Sequence, residues 1–263
     1  MYRGRSFNDS DLHSLSRLRT ISQMLLYIIR HADPDYDAGT ITEFGHTEAA
    51  ALARIMPRLA PTHLYSSPLG RAKDTAAYTV QATGLPLHIE DWTQEISGFA
   101  VDQGDPYGAT AIWDYHGEDV RRIDPPGAQT RDWFATPPYN TPGFPDLCDA
   151  LANASDAFLA RHGYTRDGGA YNIRETEPDT RAQRIAVFCH GGFGLTWLAH
   201  LLELPLPLVY SGFYLWPSSV TTILFDERTR GVATPRCIGL GDVSHLHQAG
   251  LRPRPRGIKA NYE

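Results

Sequence analysis

The apolar and polar positions in the first third of the chain follow the periods of strands and helices in turn. Residues 25–29 are all apolar and run into an Arg-His pair and a polar turn, which predicts a strand buried on both faces. Apolar residues then recur at spacings of three and four, which predicts a helix with Thr42 as N-cap and Pro61 as its end. Residues 63–66 predict a second, shorter strand.

A second helix and a third strand continue this pattern. Ser67 and Pro68 suit a helix cap and a first helical position, and Gly84 suits a helix end, which predicts a helix between them. Residues 87–92 predict the third strand. The succession of strands and helices predicts an α/β fold: a doubly wound, mostly parallel sheet with helices on both faces.

Residues 97–145 break the pattern because they are rich in glycine, proline and aromatic residues. A structureless loop of this length is unusual in a compact domain, so we expect a large inserted cap region that folds against the ligand end of the sheet. A short helix is expected near residues 107–115. Trp113 and Tyr115 are expected either to line the site or to pack in the core. The alternative for the segment is a surface excursion without a functional role.

The second half of the chain returns to regular elements. An amphipathic helix is predicted first, and the turn-rich residues 163–181 then predict a hairpin or a flexible loop. Residues 184–189 predict another buried strand, and a helix is predicted from residue 193 to residue 202. The apolar face of the amphipathic helix is formed by Leu147, Leu151, Ala154 and Phe158.

Residues 220–226 and 232–238 predict the antiparallel edge of the sheet. These elements predict one α/β domain over residues 25–250. An N-terminal extension, residues 1–24, precedes it and is expected to be partly disordered or to pack as a short helix. A C-terminal tail, residues 251–263, alternates Arg and Pro and is expected to be solvated.

Composition narrows the class of protein. The chain has 263 residues, of which 42% are hydrophobic and 21% charged, as in soluble globular proteins. The net charge of −6 argues against a nucleic-acid partner, and no apolar run approaches the roughly 18 residues of a membrane span. The three distant cysteines favour a reducing compartment, so we expect a cytoplasmic protein. Homo-oligomerisation stays open.

Two predicted strands end in a histidine, His31 and His190. Ligands of open α/β sheets bind beyond the carboxyl ends of the strands, so both histidines are expected in one crevice. Arg30 and Arg71 lie near strand ends and carry planar guanidinium groups that suit phosphate. Glycines after His190 place backbone N–H groups at a predicted helix start, where an anion is favoured. These residue types predict a site for a dianion.

Four motifs, in the same order along the chain, resemble those of the histidine phosphatase superfamily, which has a phosphoglycerate-mutase-like fold. The resemblance covers roughly residues 25–100 and 185–244. Arg30-His31 resembles the family's nucleophile motif, and Ser66-Ser67-Pro68-Leu69-Gly70-Arg71-Ala72 with Thr75 and Ala76 resembles its second arginine motif. Thr93-Gln94-Glu95 falls at the position of the family's acidic residue. Cys189-His190-Gly191-Gly192 resembles the second histidine motif.

The resemblance implies the roles of these residues. His31 would attack phosphorus and form a phosphohistidine that water hydrolyses, while its other ring nitrogen donates to a backbone carbonyl. Glu95 would protonate the leaving oxygen and later deprotonate water. No metal or cofactor is implied, because the arginines supply the positive charge. The residues implied to hold the phosphoryl oxygens are Arg30, Arg71, His190 and Gly191.

Other interpretations of these residues stay open from the sequence. Asp91 lies close enough to replace Glu95 as the acid. Arg71 could pair with Asp74 or Glu95 at the surface, and His190 could be a core histidine with satisfied hydrogen bonds.

The sequence also departs from the family pattern. Ala32 stands where the family usually has glycine after the nucleophile, which could narrow the turn near the phosphate. Asp33 and Asp35 follow, and two carboxylates near the pocket would repel a second anionic group. They favour a phosphatase over a mutase and suggest recognition of a hydroxyl or an amine. His245 and His247 have the spacing of metal ligands on a strand, but a third ligand is not evident, so a solvated pair is expected.

We therefore predict a metal-independent phosphomonoesterase that acts on a small phosphorylated metabolite through a phosphohistidine. One alternative is a phosphoglycerate-mutase-type phosphotransferase, which needs a second anion pocket. The other is a phosphate-binding module that has lost turnover.

Overall fold

The computed structural model describes residues 23–105, 108–122, 132–174 and 180–257 of the chain. The short helix predicted in the N-terminal extension lies outside these ranges. The described helices are α1 (Glu43–Leu59), α2 (Gly70–Thr83), α3 (Gly117–Arg122), α4 (Phe144–Arg161), α5 (Gly191–Leu202), α6 (Leu206–Gly212) and α7 (Ser244–Gln248). The described strands are β1 (Leu25–Arg30), β2 (Pro34–Asp35), β3 (Thr40–Ile41), β4 (His63–Ser66), β5 (Leu87–Ile89), β6 (Ala100–Asp102), β7 (Ala109–Ala111), β8 (Tyr164–Asp167), β9 (Ala170–Ile173), β10 (Arg184–Cys189), β11 (Val220–Thr229) and β12 (Val232–Asp242).

One sheet of eight strands, in the order β5-β4-β10-β1-β11-β12-β9-β8, forms the centre of the molecule. The strands from β5 to β1 are parallel neighbours, and β1 pairs with β10 along its whole length. From β1 to β8 every pair is antiparallel. The prediction of a mostly parallel sheet is therefore wrong for this second half. β11 and β12 are antiparallel as predicted but do not form the edge, because the hairpin of β8 and β9 pairs beyond them.

β1 lies between two hydrophobic layers, as its continuous apolar sequence predicts. Leu26 and Ile28 belong to a core cluster that α4 and α5 complete. Tyr27 and Ile29 belong to another cluster, which α1 and α2 complete. Alternate side chains of a strand point to opposite faces, so helices cover both faces of the sheet here. This burial fixes the position of the residues that follow β1.

The first two helices show where local signals succeed and fail. Thr42 caps α1, because its Oγ1 accepts the Gly45 N–H at 3.0 Å, and the helix ends just before Pro61 with Ala60 in a left-handed conformation. α2 ends at Gly84, which is also left-handed, as predicted. The predicted start of α2 is wrong, because the helix begins at Gly70 and has no side-chain cap. The Ser67 side chain contacts His190 instead of capping the helix.

Residues 97–145 form regular structure where they are described. β6 and β7 make a hairpin, a 3-10 turn follows at Ile112–Asp114, and α3 comes next. The helix predicted near residues 107–115 is wrong, since β7 and this turn occupy the described part of that stretch. Ile112 and Val120 are buried in the main core, so the segment is packed against the domain rather than a surface excursion.

Other boundaries differ slightly from the predictions. The third strand, β5, ends at Ile89, and a 3-10 turn covers Asp91–Thr93. The helix predicted around Leu151 is confirmed as α4, and the hairpin predicted within residues 163–181 is confirmed as β8 and β9. Among the described residues, no helix combines the length and apolar character that crossing a membrane requires.

Candidate active site

The two histidines predicted to share a crevice lie side by side. β1 and β10 are adjacent parallel strands in which Arg30 is opposite Cys189, so His31 and His190 leave the sheet together. Their ring centroids are 5.2 Å apart, and both side chains are buried. The carboxyl end of the parallel half therefore forms the site, as expected for an open α/β sheet.

His31 is held in one tautomer by its own chain. Its Nδ1 lies 2.7 Å from the carbonyl oxygen of Ala32, a geometry in which Nδ1–H donates and Nε2 keeps its lone pair. The Ala32 N–H in turn donates to Thr75 Oγ1 of α2 at 2.9 Å. Burial lowers the pKa of His31 well below its ordinary value, and Arg30 and His190 lower it further. His31 is thus a neutral imidazole with a free nitrogen.

Three buried nitrogens near His31 have no hydrogen-bond partner among the described residues: Arg30 Nε, Arg71 Nε and His190 Nδ1. Arg30 also donates from Nη1 to the Leu215 carbonyl oxygen at 2.5 Å, which fixes its guanidinium. Arg30 and Arg71 both lower the pKa of His31, so both lie within electrostatic range of it. Unpaired buried donors are costly, and this group of them suits an anion with several oxygens.

Ser67 orients His190. Its Oγ accepts the Leu69 N–H at 3.3 Å and lies 2.8 Å from His190 Nε2. Burial lowers the pKa of His190 to about 2, with Arg71 and Arg30 adding to the effect. When the Ser67 hydroxyl donates to Nε2, the proton of this neutral histidine is on Nδ1, the unpartnered nitrogen. The sequence pattern predicts Ser67 as a helix cap and does not predict this contact, because no local signal links Ser67 to a residue so distant in the chain.

The start of α5 binds a side chain of the protein itself. Glu95 Oε1 accepts the Phe193 N–H at 2.8 Å, and Oε2 accepts the Gly192 N–H at 3.3 Å. The prediction that these glycine-flanked N–H groups are free for a phosphate is therefore wrong for Gly192. A carboxylate satisfies unpaired donors at a helix N-terminus and interacts favourably with the helix dipole. Gly191 lines the cavity instead, and a Cβ there would lie 3.3 Å from the Arg30 guanidinium carbon.

The structure places Glu95 and Asp91 in different surroundings. Burial raises the pKa of Glu95 above its ordinary value, and hydrogen bonds from Phe193 and the charge of Arg30 offset only part of this effect. Asp91 is exposed in the preceding turn. Arg71 lies over the Tyr36 ring at 5.5 Å, and Asp74 accepts from Thr40 Oγ1 at 2.5 Å. Among these carboxylates, only Glu95 lines the cavity.

The Asp33 carboxylate, two residues after His31, is neutralised by Arg256 of the C-terminal segment. Arg256 donates from Nε and Nη2 to the two Asp33 oxygens at 2.5 and 2.9 Å, and Thr42 Oγ1 donates to the same carboxylate at 2.7 Å. Burial raises the pKa of Asp33, but these hydrogen bonds outweigh it and leave the pKa below its ordinary value. Asp33 is fully buried, so the expected repulsion of a second anion by this side chain is wrong.

The C-terminal segment that supplies Arg256 packs against the domain at several of its described residues. Arg254 lies over the Phe44 ring at 3.8 Å, and Pro253 is buried. The Arg256 N–H donates to the Tyr214 hydroxyl, which donates back to the Arg256 carbonyl oxygen at 2.6 Å. The predicted solvated tail is therefore wrong for Pro253 and Arg256, whereas Arg252 and Gly257 are exposed, and residues 258–263 lie outside the description.

Loss of the Arg256 side chain is expected to destabilise the fold. Arg256→Met removes two charge-assisted hydrogen bonds from a fully buried carboxylate, so we expect the free energy of unfolding to fall by about 2 kcal/mol. Urea unfolding at pH 7, followed by circular dichroism, measures this change. Arg252→Met is the matched control, because Arg252 is exposed in the same segment. An equal effect of both substitutions would show that the ion pair contributes nothing.

A cavity of about 870 Å³ opens beyond the site. Arg30, Glu95 and Gly191 line it, whereas His31 and His190 themselves do not. Most of the other lining residues come from the segment after β5, from the residues around α6 and from the C-terminal segment. They include Gln103, Thr110, Trp113, Asp114, Tyr115, His116, Tyr214, Arg256 and Gly257. Trp113 packs so close to Gly192 that a Cβ at this glycine would lie 2.6 Å from the indole ring.

The histidine pair after β12 does not match the predicted strand. His245 and His247 lie on α7, where His245 is buried with its Nε2 3.1 Å from Ser218 Oγ, and His247 is exposed. The described part of the chain contains no group of three or more His, Cys, Asp or Glu side chains arranged to hold a metal ion.

Comparisons with known proteins agree with this geometry. A model of the histidine phosphatase superfamily (branch 1) matches residues 26–111. The chain is 26% identical over 192 residues to a glucosyl-3-phosphoglycerate phosphatase of Mycobacterium tuberculosis, which covers 69% of this chain and 76% of that protein. It is 29% identical over 124 residues to a glucosyl-3-phosphoglycerate phosphatase of Mycolicibacterium vanbaalenii, with 40% and 52% covered.

Solved structures share the fold. The native mycobacterial glucosyl-3-phosphoglycerate phosphatase aligns with a TM-score of 0.53 at 21% identity, over 82% of this chain and 98% of that one. Phosphoserine phosphatase from Entamoeba histolytica, in complex with 3-phosphoglyceric acid, aligns with a TM-score of 0.55 at 18% identity, over 85% and 100%. Fold and site together define an α/β protein with paired histidines at the carboxyl end of parallel strands. Over residues 26–111 the chain is similar to the histidine phosphatase superfamily, and over most of its length it is similar to a glucosyl-3-phosphoglycerate phosphatase.

Proposed function

We propose that this protein is a phosphomonoesterase that works through a phosphohistidine at His31 and requires no metal. The observation that carries the proposal is the hydrogen bond from His31 Nδ1 to the Ala32 carbonyl oxygen, which leaves Nε2 free beside the unpartnered nitrogens of Arg30 and Arg71. A neutral imidazole nitrogen is a nucleophile, and the guanidinium groups supply the charge that a phosphoryl group needs.

In the first step, His31 Nε2 forms a bond to phosphorus while the bond from phosphorus to the leaving oxygen breaks. Glu95 gives its proton to that oxygen, and burial raises its pKa above the ordinary value, which favours the protonated form. The Nδ1–H of the phosphohistidine keeps its hydrogen bond to Ala32, which stabilises the positive ring. Arg30, Arg71 and His190 Nδ1–H hold the phosphoryl oxygens.

In the second step, water attacks phosphorus and the bond to His31 Nε2 breaks. Glu95, now ionised, accepts the proton of that water, so phosphate leaves and the starting state returns. The N–H groups of Gly192 and Phe193 favour this ionised form and hold Glu95 in place. One carboxyl group thus acts first as acid and then as base.

We propose a small phosphorylated metabolite as substrate, in the cytoplasm. The relatives named glucosyl-3-phosphoglycerate phosphatase and phosphoserine phosphatase point to this class. Residues 97–145 act as the cap of the site, because Trp113 and Tyr115 line the cavity that a leaving group would enter. Since Arg256 neutralises Asp33, that residue no longer argues against a mutase-type phosphotransferase, and experiment must separate the two reactions.

Phosphate release from a panel of phosphomonoesters in EDTA tests the proposal. We expect release of inorganic phosphate without added metal or acceptor. A brief reaction with ³²P-labelled substrate, quenched in base, should leave label on His31 that is lost in acid. Transfer to an added phosphoglycerate without net phosphate release would show a mutase. Phosphate binding without turnover on any ester would show a binding module.

A further inference from the structure

Asp114 differs from Gln103 and Glu95, two other polar residues that line the cavity. Gln103 donates to the Asp114 backbone carbonyl and to Thr110, and it accepts the His116 N–H at 2.7 Å. The oxygens of Glu95 accept backbone N–H groups, and Arg256 donates to Asp33. The Asp114 carboxylate has no hydrogen-bond donor among the described residues, although it faces the cavity.

Asp114 lies in the part of the cavity that is close to Arg30 and Glu95. Arg30 and Glu95 both influence its pKa, so it lies within electrostatic range of the two residues. Burial raises the pKa of Asp114 to about 6, Arg30 lowers it, and Glu95 raises it again. On its other side runs the C-terminal segment, where a Cβ at Gly257 would lie 3.1 Å from Asp114 Oδ2. Asp114 therefore lies at the end of the 3-10 turn, with its carboxylate next to the C-terminal segment.

Because the Asp114 carboxylate has no donor among the described residues, its acceptor sites are open to groups in the cavity. A leaving group with hydroxyl groups would donate to them once it entered the cavity. A second anionic group beside Asp114 would be repelled by it and by Glu95. An ammonium group there would be opposed by Arg30. The neighbouring rings of Trp113 and Tyr115 offer flat apolar surfaces, which suit the C–H faces of a polyol.

We propose that Asp114 is a specificity-determining residue that accepts a hydrogen bond from a hydroxyl of the leaving group, so that the enzyme favours phosphomonoesters of polyols. This inference rests on the proposed phosphatase function. It concerns binding of the leaving group and assigns Asp114 no proton transfer to the reacting atoms.

Glycerol 1-phosphate and propyl phosphate form the test pair, because both are primary alkyl esters and only the former carries further hydroxyls. We expect kcat/KM of the wild type to favour glycerol 1-phosphate by about tenfold or more, mostly through KM. Asp114→Ala should reduce this ratio to about one. Asp114→Asn, which keeps an acceptor oxygen but no charge, should give an intermediate ratio.

Asp105→Ala is the matched control, because this aspartate belongs to the same segment but is exposed outside the cavity. It should keep the wild-type ratio. Equal hydrolysis of both esters by the wild type, or a ratio that survives Asp114→Ala and Asp114→Asn, would overturn the inference while the phosphatase function stands. Hydrolysis of neither ester, nor of any other in the panel, would overturn the proposed function and this inference with it.

Discussion

Replacing His31 with alanine is expected to lower kcat for every phosphomonoester by at least about 10⁴-fold. No other described imidazole can take its place: His190 is the nearest ring, and its Nε2 is bonded to Ser67 Oγ. The loss should be the same for alkyl and aryl esters, because both need the same nucleophile. Phosphate release in EDTA measures it, and the labelled phosphohistidine should be absent from the variant.

His88→Ala is the control, since this histidine is exposed on β5 at the edge of the sheet. It should keep wild-type turnover. The lowered pKa of His31 also predicts the pH dependence: the imidazole must be neutral to attack, so the acidic limb of kcat/KM should lie below pH 6.5, the ordinary histidine pKa. Turnover retained by His31→Ala would show that the nucleophile lies elsewhere.

Replacing Glu95 with glutamine is expected to slow phosphohistidine formation from alkyl esters by about 10²–10⁴-fold, the usual contribution of a general acid. The amide cannot donate a proton to the leaving oxygen, although it fills nearly the same space. p-Nitrophenyl phosphate, whose leaving group needs little protonation, should be affected much less. Single-turnover kinetics with both esters give the two rates.

The pH profile adds a second readout for Glu95. Only its protonated form can act as the acid, so the rate of the first step with an alkyl ester should fall as pH rises through its raised pKa. Glu95→Gln should remove this limb. Asp91→Asn is the control and also tests the alternative acid left open by the sequence; a larger loss in Asp91→Asn than in Glu95→Gln would reverse the assignment.

The C-terminal segment contacts the loop that follows β1, through the pair of Arg256 and Asp33. Arg256 and Asp33 are 223 residues apart in sequence, yet they form a bidentate ion pair that lies within three residues of His31 and at the wall of the cavity. Substitutions in residues 253–257 are therefore expected to change both stability and the shape of the site. A segment that composition describes as polar and proline-rich thus lines the cavity with Arg256 and Gly257.

The elements that could be predicted from the residue pattern are those that local interactions govern. The apolar run of β1 requires burial on both faces wherever the strand lies, and Thr42 caps α1 through an N–H only three residues away. The motifs around His31 and His190 also follow from sequence, since each continues directly from a buried strand into the crevice. Such features depend on neighbours in the chain, so the residue pattern specifies them.

The pairing of polar groups that are distant in the chain could not be predicted from the residue pattern, because it depends on how the elements pack together. Glu95 and Asp91 have similar local sequence surroundings, and the backbone N–H groups of α5 distinguish them. Ser67 turns to His190 instead of capping α2, and Asp33 is paired by Arg256. A buried polar group is costly unless it forms a hydrogen bond, so each of these groups has a partner in the folded protein. The fold determines which group that partner is, and the separation of the two along the chain follows no local pattern.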